Sequence, residues 1–500
     1  MPKFMKLPQI IQGGMGVAIS DWNLAKAVSM QGHLGIVSGT GVGPVMTSRL
    51  RMGDIGGHVR RALSHFPFEE PVRRILDRYY VPASETPQLP FKRPSMWTLK
   101  PPKKLNELTV IANFVEVFLA KEGHQNAVGL NLLEKLQMPT MASLYGAMLA
   151  GTDFVIMGAG IPLQIPGILD KLAAHRAVRY RLDMLEADSE DEFHIHFDPQ
   201  AIFPGIREKM SQLRRPNFLP IISSVVLAKA LIKRATGKIN GFVIEAPTAG
   251  GHNAPPRGAL KLDEKGEPIY GKKDEVDTEK IKQLGLPFWM AGGYDSPEML
   301  QQALDNGAAG IQVGTAFAYC DESGMDDDIK SRVIQKVLDQ EIEVHTDPNV
   351  SPTGYPFKVV QLEGTMTDPE VEHNRIRLCD VGLLRNPYKS ADGKIGYRCS
   401  AEPIDQYLKK GGELEETVGK SCLCNNLLAT ASYAHQRIDG YVEPPIVTSG
   451  DGLTGIAKYV KPGSHRYAAQ DVLDYLTGRK SPNSLVELPA AERLESEALI

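Results

Sequence analysis

An α/β (β/α)8 TIM barrel with two large insertions is the fold this sequence predicts, on three observations. Eight short apolar, β-branched runs recur between residues 9 and 314, stretches with helical spacing separate most of them, and the runs end in glycine or small polar residues. Short continuous apolar runs suit strands covered on both faces, as parallel strands are. Repeated strand–helix alternation favours a closed barrel, although a doubly wound open sheet shares much of the pattern.

The runs are Gln9 to Gln12, Leu34 to Ser38, Ala127 to Asn131, Asp153 to Met157, Leu219 to Ser223, Gly241 to Glu245, Pro287 to Ala291 and Gly310 to Gly314. Helical spacing follows from Asp21 to Met30, Met141 to Ala150, Pro166 to His175, Val225 to Ala235, Thr278 to Leu284, Pro297 to Asn306 and Asp326 to Leu338. Asp277 and Ser296 stand where N-caps are needed, and Pro297 suits a first helical position.

Two stretches break the repeat. Residues 42–126 are rich in Arg and Pro and read as a helical insertion followed by an extended surface segment. Residues 341–445 carry glycines and most of the cysteines, and are expected to cover the barrel mouth or an oligomer interface. The barrel is thus placed at 1–340, and 446–500 is read as a C-terminal tail, polar and acidic beyond Ser481.

With 42% hydrophobic and 23% charged residues and a net charge of -4, the 500-residue chain is ordinary for a soluble enzyme. Nothing in that balance calls for nucleic acid or a membrane as partner. No apolar run nears the roughly 20 residues that span a bilayer. The N-terminal residues lack the apolar core of a secretory signal, and five cysteines, an odd number, argue for a reducing cytoplasm over a disulfide framework.

Chemistry is expected at the C-terminal ends of the strands. There the sixth run ends in Gly250, Gly251 and His252, the seventh in Gly292 and Gly293, and the eighth in Gly314 and Thr315. The last two places are where barrels hold phosphate on loop backbone. His252, a titratable group beside two glycines at the mouth, is the candidate for proton handling. The first run ends in Gln12, Gly13, Gly14, Met15 and Gly16, where glycines would let a flat ring lie against the backbone. His194 and His196 alternate as on a strand and read as structural.

Together these motifs resemble the nitronate monooxygenase family, formerly 2-nitropropane dioxygenases, which includes flavin-dependent enoyl-acyl-carrier-protein reductases. The resemblance rests on Gln12 to Gly16, Gly129 to Leu132, Ala249 to His252, Ala291 to Gly293, and Val313 to Thr315 with Glu322 and Ser323 after it. It implies FMN in the barrel, with the ring near Gln12, Gly13, Gly14 and Met15, a hydrogen bond from Asn131, and Gly250 and Gly251 skirting the cofactor. Gly292, Gly293, Gly314 and Thr315 would hold its phosphate, Ser223 is a further pocket candidate, and His252 would act on substrate. The implied reaction is oxidation of an alkyl nitronate by O2 to a carbonyl compound and nitrite.

The two insertions and the segment Asn253 to Gly258 depart from the family's compact members. Residues Ser351 to Phe357 and the cysteines after them look like the subgroup related to reductase components of polyunsaturated fatty acid and polyketide synthases. That makes an NAD(P)H-dependent reductase acting on an enoyl thioester or a quinone the alternative to nitronate oxidation. A non-catalytic flavoprotein subunit, a non-flavin phosphate-binding barrel and a homo-oligomeric assembly are further expectations.

Cys379, Cys399, Cys422 and Cys424 have 19, 22 and 1 residues between successive members, a spacing that matches no standard zinc ribbon or ferredoxin run. They are candidates for a zinc ion or an iron–sulfur cluster, with four unrelated buried thiols as the alternative. Cys320 reads as core.

Overall fold

Every one of the eight runs forms a strand: β1 (Ile10–Gln12), β2 (Gly35–Ser38), β3 (Val128–Leu133), β4 (Phe154–Gly158), β5 (Asn217–Ile222), β6 (Phe242–Glu245), β7 (Phe288–Ala291) and β8 (Gly310–Val313). The computed structural model describes residues 7–85, 93–435, 437 and 439–480, so the stretch beyond Ser481 lies outside the described residues. All pairings among these strands are parallel, in the order β1-β8-β7-β6-β5-β4-β3-β2. The Gln12 N–H donates to the Leu34 carbonyl at 2.9 Å and the Leu34 N–H to that of Ile10 at 3.0 Å, which joins β1 to the start of β2 and closes the barrel.

Side chains alternate across each strand, so residues two apart share a face. Ile11, Ile36, Ile156, Leu219, Val243, Trp289 and Ala291 pack together inside the barrel, each at most 3% exposed. The Trp289 indole N–H donates to the Pro8 carbonyl at 2.7 Å, which satisfies the polar edge of the largest of these side chains. The larger apolar cluster lies outside the strands, under the helices. Those helices start as expected: the Ser296 hydroxyl accepts from the Met299 N–H at 3.2 Å, and the Asp277 carboxylate from Lys280 at 3.1 Å.

The insertion after β2 departs from the expected extended surface segment. Lys103–Lys121 is a buried 19-residue helix that crosses back to β3. Its polar residues do not mark a solvent face, because they are paired inside: Glu107 with Arg74 at 2.7 Å, Glu116 with Arg49, and the Asn113 amide with the Thr109 carbonyl at 2.9 Å. A second small addition, the antiparallel pair Val178–Leu182 and Phe193–Phe197, carries His194 and His196, whose rings lie 6.4 Å apart with no further ligand type gathered on them.

Past the helix Asp327–Leu338, the antiparallel pair Val344–Asp347 and Phe357–Val360 is laid over the barrel mouth, where Phe357 forms a bridge with His252. Residues 446–480, expected as tail, are largely built into the body. The 3-10 segment Asp451–Tyr459 and the helix Ala469–Leu476 bury Leu453, Ile456, Tyr459, Val472 and Leu473. Apolar residues spread across two short elements give no periodicity long enough to read from sequence. Among the described residues, no helix is long and apolar enough to cross a membrane.

Candidate active site

The C-terminal ends of the strands open into one pocket, lined by Gly13, Gly14, Met15, Asn131, Gly250, Gly251, His252, Gly292, Gly293, Gly314 and Thr315. Residues from five strand ends thus converge as barrel geometry requires. Two expected members lie elsewhere. Gln12 is fully buried beneath the first loop: its amide N–H donates to the Gly13 carbonyl and to the Ser20 hydroxyl at 2.7 Å, and its carbonyl accepts from the Ile36 N–H at 2.9 Å. It shapes the loop that other residues present to the pocket. Ser223 stands past the end of β5, where its carbonyl accepts from the Arg257 guanidinium, and Ile221 takes the pocket-facing place on that strand.

The first loop is held tightly. The Ser20 hydroxyl donates to the Gly13 carbonyl at 2.8 Å and accepts from the Met15 N–H at 2.8 Å. A Cβ on Gly14 would stand 2.2 Å from the Asn131 Cβ, so only glycine allows this approach. The Asn131 amide donates to the Gly14 carbonyl at 2.9 Å, while its Oδ1 is buried with no partner. Gln312, a pocket residue the sequence did not suggest, likewise has a buried Oε1 without a partner.

Strand register explains the polar ring at this level. Glu245 pairs with Ala291 and Ala291 with Gln312, so these three residues form one layer across β6, β7 and β8. Glu245 shares the face of Val243, two residues earlier, and therefore points into the barrel mouth above the apolar interior. Burial alone pushes its carboxyl up to about 7. Nothing in its sequence context distinguished it from the end of an apolar run.

On the phosphate side, Gly292 and Gly293 have φ of 91° and 81°, a left-handed conformation that side chains other than glycine rarely adopt. Gly314 leads into Thr315–Ala318, whose first N–H groups are not used within the helix. The Thr315 hydroxyl accepts from the Gly450 N–H at 3.0 Å, and the Asp295 carboxylate pairs with Lys458 at 2.9 Å. The C-terminal segment therefore completes this wall. Thr448, Ser449 and Gly450 all line the pocket, and the Gly251 N–H donates to the Thr448 hydroxyl at 3.0 Å.

His252 faces the pocket with its Nε2 2.8 Å from the Ser351 hydroxyl and its ring edge-on to Phe357, centroids 4.8 Å apart. Ser351 is fully buried and bonds onward to the Thr353 hydroxyl at 2.8 Å. Burial lowers the imidazole to about 4, so the ring is neutral across the physiological range. Among the described residues, no lysine or arginine lines the pocket.

These residues fit FMN. Glycines at the first loop admit a flat ring, the unpartnered Asn131 and Gln312 oxygens can accept from its N–H edge, and free backbone N–H groups beside Gly293 and Thr315 suit a phosphate. The four late cysteines line a separate small cavity with Gly382, Arg385 and Glu402. Cys399, Cys422 and Cys424 are buried and Cys379 partly so, and none is in a disulfide. Among the described residues no group of three or more His, Cys, Asp or Glu is placed to hold a metal ion.

A nitronate monooxygenase family model matches residues 171–413. The (3aS,4S,5R,7aS)-5-hydroxy-7a-methyl-1-oxo-octahydro-1H-indene-4-carboxyl-CoA dehydrogenase of Mycobacterium tuberculosis (strain ATCC 25618 / H37Rv) is 27% identical over 364 residues, 69% of this chain and 94% of that protein. Among solved structures, FabK from Thermotoga maritima aligns with 98% of this chain and 96% of its own at 15% identity and a TM-score of 0.41. The enoyl reductase domain of MlnA from Bacillus amyloliquefaciens aligns over 99% and 97% at 11% identity and a TM-score of 0.45.

Proposed function

We propose that this chain, which its nitronate monooxygenase domain makes a flavin-dependent oxidoreductase, acts on the uncharged Cα–Cβ bond of an acyl thioester in preference to an anionic nitronate. The observation that carries this reading is the charge of the pocket wall. Among the described residues it holds no lysine or arginine, its histidine is neutral, and its carboxyls are Asp295, paired with Lys458, and Glu245, which has no ion pair there. A nitronate brought beside Glu245 and His252 would lose its water without gaining a cation and would face a carboxyl, whereas a carbon–carbon bond beside a thioester carries no such cost; the FMN phosphate would instead be met by backbone N–H groups at the glycine loops. The curated relative from Mycobacterium tuberculosis is named as acting on a carboxyl-CoA compound, which supports the same substrate class.

Bound FMN would supply hydride transfer, the chemistry no side chain here can perform. Asn131, Gln312 and the glycines of the first loop would orient it, and Gly292, Gly293, Gly314 and Thr315 would hold its phosphate. His252, kept neutral and fixed by Ser351, would hydrogen-bond the thioester carbonyl or a neighbouring polar group. The segment around Phe357 and Thr448–Gly450 would keep water from the reacting carbons. NAD(P)H is the proposed electron donor.

Nitronate oxidation is the second reading, favoured by the family match and by an imidazole able to hydrogen-bond a nitronate oxygen. Anaerobic mixing tests the two. Flavin bleached by NAD(P)H and restored by an enoyl-CoA supports the first; bleaching by an alkyl nitronate, with no response to NAD(P)H, overturns it.

A further inference from the structure

We infer that Glu245 is a catalytic acid–base residue that gives the Cα proton to the substrate during reduction and takes it back in the reverse direction. This rests on the acyl-thioester reading above. Glu245 is the last residue of β6 and points into the mouth in one layer with Ala291 and Gln312, the layer at which the pocket begins. Its carboxyl, half-buried in the mouth, makes no hydrogen bond or ion pair among the described residues. That leaves it available to a bound molecule.

The surrounding groups leave no competing proton donor. Asp295 is engaged by Lys458, and burial raises the Tyr294 hydroxyl above its ordinary value, so it holds its proton. His252 is neutral, its Nε2 lies against Ser351, and its imidazolium is scarce near neutral pH. With no lysine or arginine in the lining among the described residues, nothing there draws the Glu245 proton off, and burial raises its carboxyl to about 7. A carboxylic acid titrating near the working pH is suited to proton transfer in both directions.

The step balances. Cβ of an enoyl thioester takes a hydride from a reduced flavin, the π pair moves to Cα and forms the new C–H bond with the Glu245 proton, and the carboxylate left behind regains a proton from solvent. Reversal breaks the Cα–H bond towards the Glu245 carboxylate as hydride leaves Cβ. His252 has no part in this transfer beyond hydrogen-bonding the substrate.

The test uses FMN-loaded protein, crotonyl-CoA as probe and NAD(P)H in D2O, with Glu245→Gln and the conservative Glu245→Asp. Infrared difference spectra provide a readout that needs no turnover. The wild type is expected to place one solvent deuterium at Cα and to show a neutral-carboxyl band that fades as pH rises through about 7. Glu245→Gln should lose that band and at least a hundredfold in kcat while keeping its flavin spectrum, and Glu245→Asp should recover part of the rate. Turnover by Glu245→Gln within threefold of wild type, or a neutral-carboxyl band unchanged in it, overturns the assignment. A wild type inactive on every thioester but showing the titrating band overturns the substrate class, and the role in Cα protonation with it.

Discussion

Gly293→Ala separates a glycine that holds phosphate from one that merely turns the chain. At this position φ is 81°, and an added Cβ would meet only the Thr248 hydroxyl, at 3.7 Å. There is space, so the folded protein should pay only for the left-handed conformation, about 1 kcal/mol. The Cβ, however, projects at the wall where the phosphate is placed and shifts a backbone N–H that would donate to it. A hydrogen bond to a charged group contributes about 1.5–3 kcal/mol, which at about 1.4 kcal/mol per tenfold is a loss of roughly 10- to 150-fold in affinity. Titrating apoprotein with FMN and with riboflavin, by quenching of flavin fluorescence, reads this directly. Riboflavin lacks the phosphate, so its affinity should change less than threefold. Equal losses for both flavins, or none for either, would refute the phosphate assignment.

Other perturbations have equally definite outcomes. Arg375→Met should destabilise the extension towards the lower end of about 3–5 kcal/mol in urea denaturation, because it leaves Glu443, 2.8 Å away and fully buried, with only the more distant Arg437 at 3.9 Å; a change under about 1 kcal/mol would contradict this. Ser351→Ala removes the hydrogen bond to His252 and should lower kcat about tenfold with flavin content unchanged, so an unaltered rate would count against His252 acting in a fixed orientation. His252 is depressed from 6.5 to about 4, so the unfolded chain binds a proton there that the folded one refuses as pH falls through this window. Wild-type stability should therefore fall, relative to His252→Asn, from pH 6.5 down to 4; parallel curves would refute the burial of a neutral imidazole. Gly14→Ala forces a Cβ against Asn131 and should cost about 1–3 kcal/mol together with a shifted flavin spectrum, and an unperturbed spectrum would argue that the ring lies elsewhere.

The barrel was legible because each strand announces itself twice, by a β-branched run and by the residues that end it. The glycine-bearing loops were legible for the same reason, since a backbone that must approach a ligand closely excludes side chains. Lys103–Lys121 was not, because Glu107, Asn113 and Glu116 are buried with distant partners and erase the polar stripe that marks a surface helix. Glu245 and Gln312 were hidden inside apolar runs; register, which assigns them to one layer, is a property of the closed sheet. Thr448–Gly450 and Ser351 reach the site only through folding of the extension over the mouth; a cover from 341–445 was expected, but local sequence does not say which residues it brings, because the contacts span 99 and 197 residues. Gln12 illustrates the converse: adjacency to the first loop suggested a ligand contact, whereas its side chain is spent on Ser20 and Ile36.

The most direct measurement is the identity and amount of flavin released from purified protein by heat, with reconstitution of any apoprotein present. A pocket walled by glycine loops, with unpartnered amide oxygens for the ring and backbone N–H groups for a phosphate, predicts about one FMN per chain, the expectation for a single largely pre-formed cofactor site. Colourless protein that takes up neither FMN nor riboflavin on reconstitution would contradict the account at its centre.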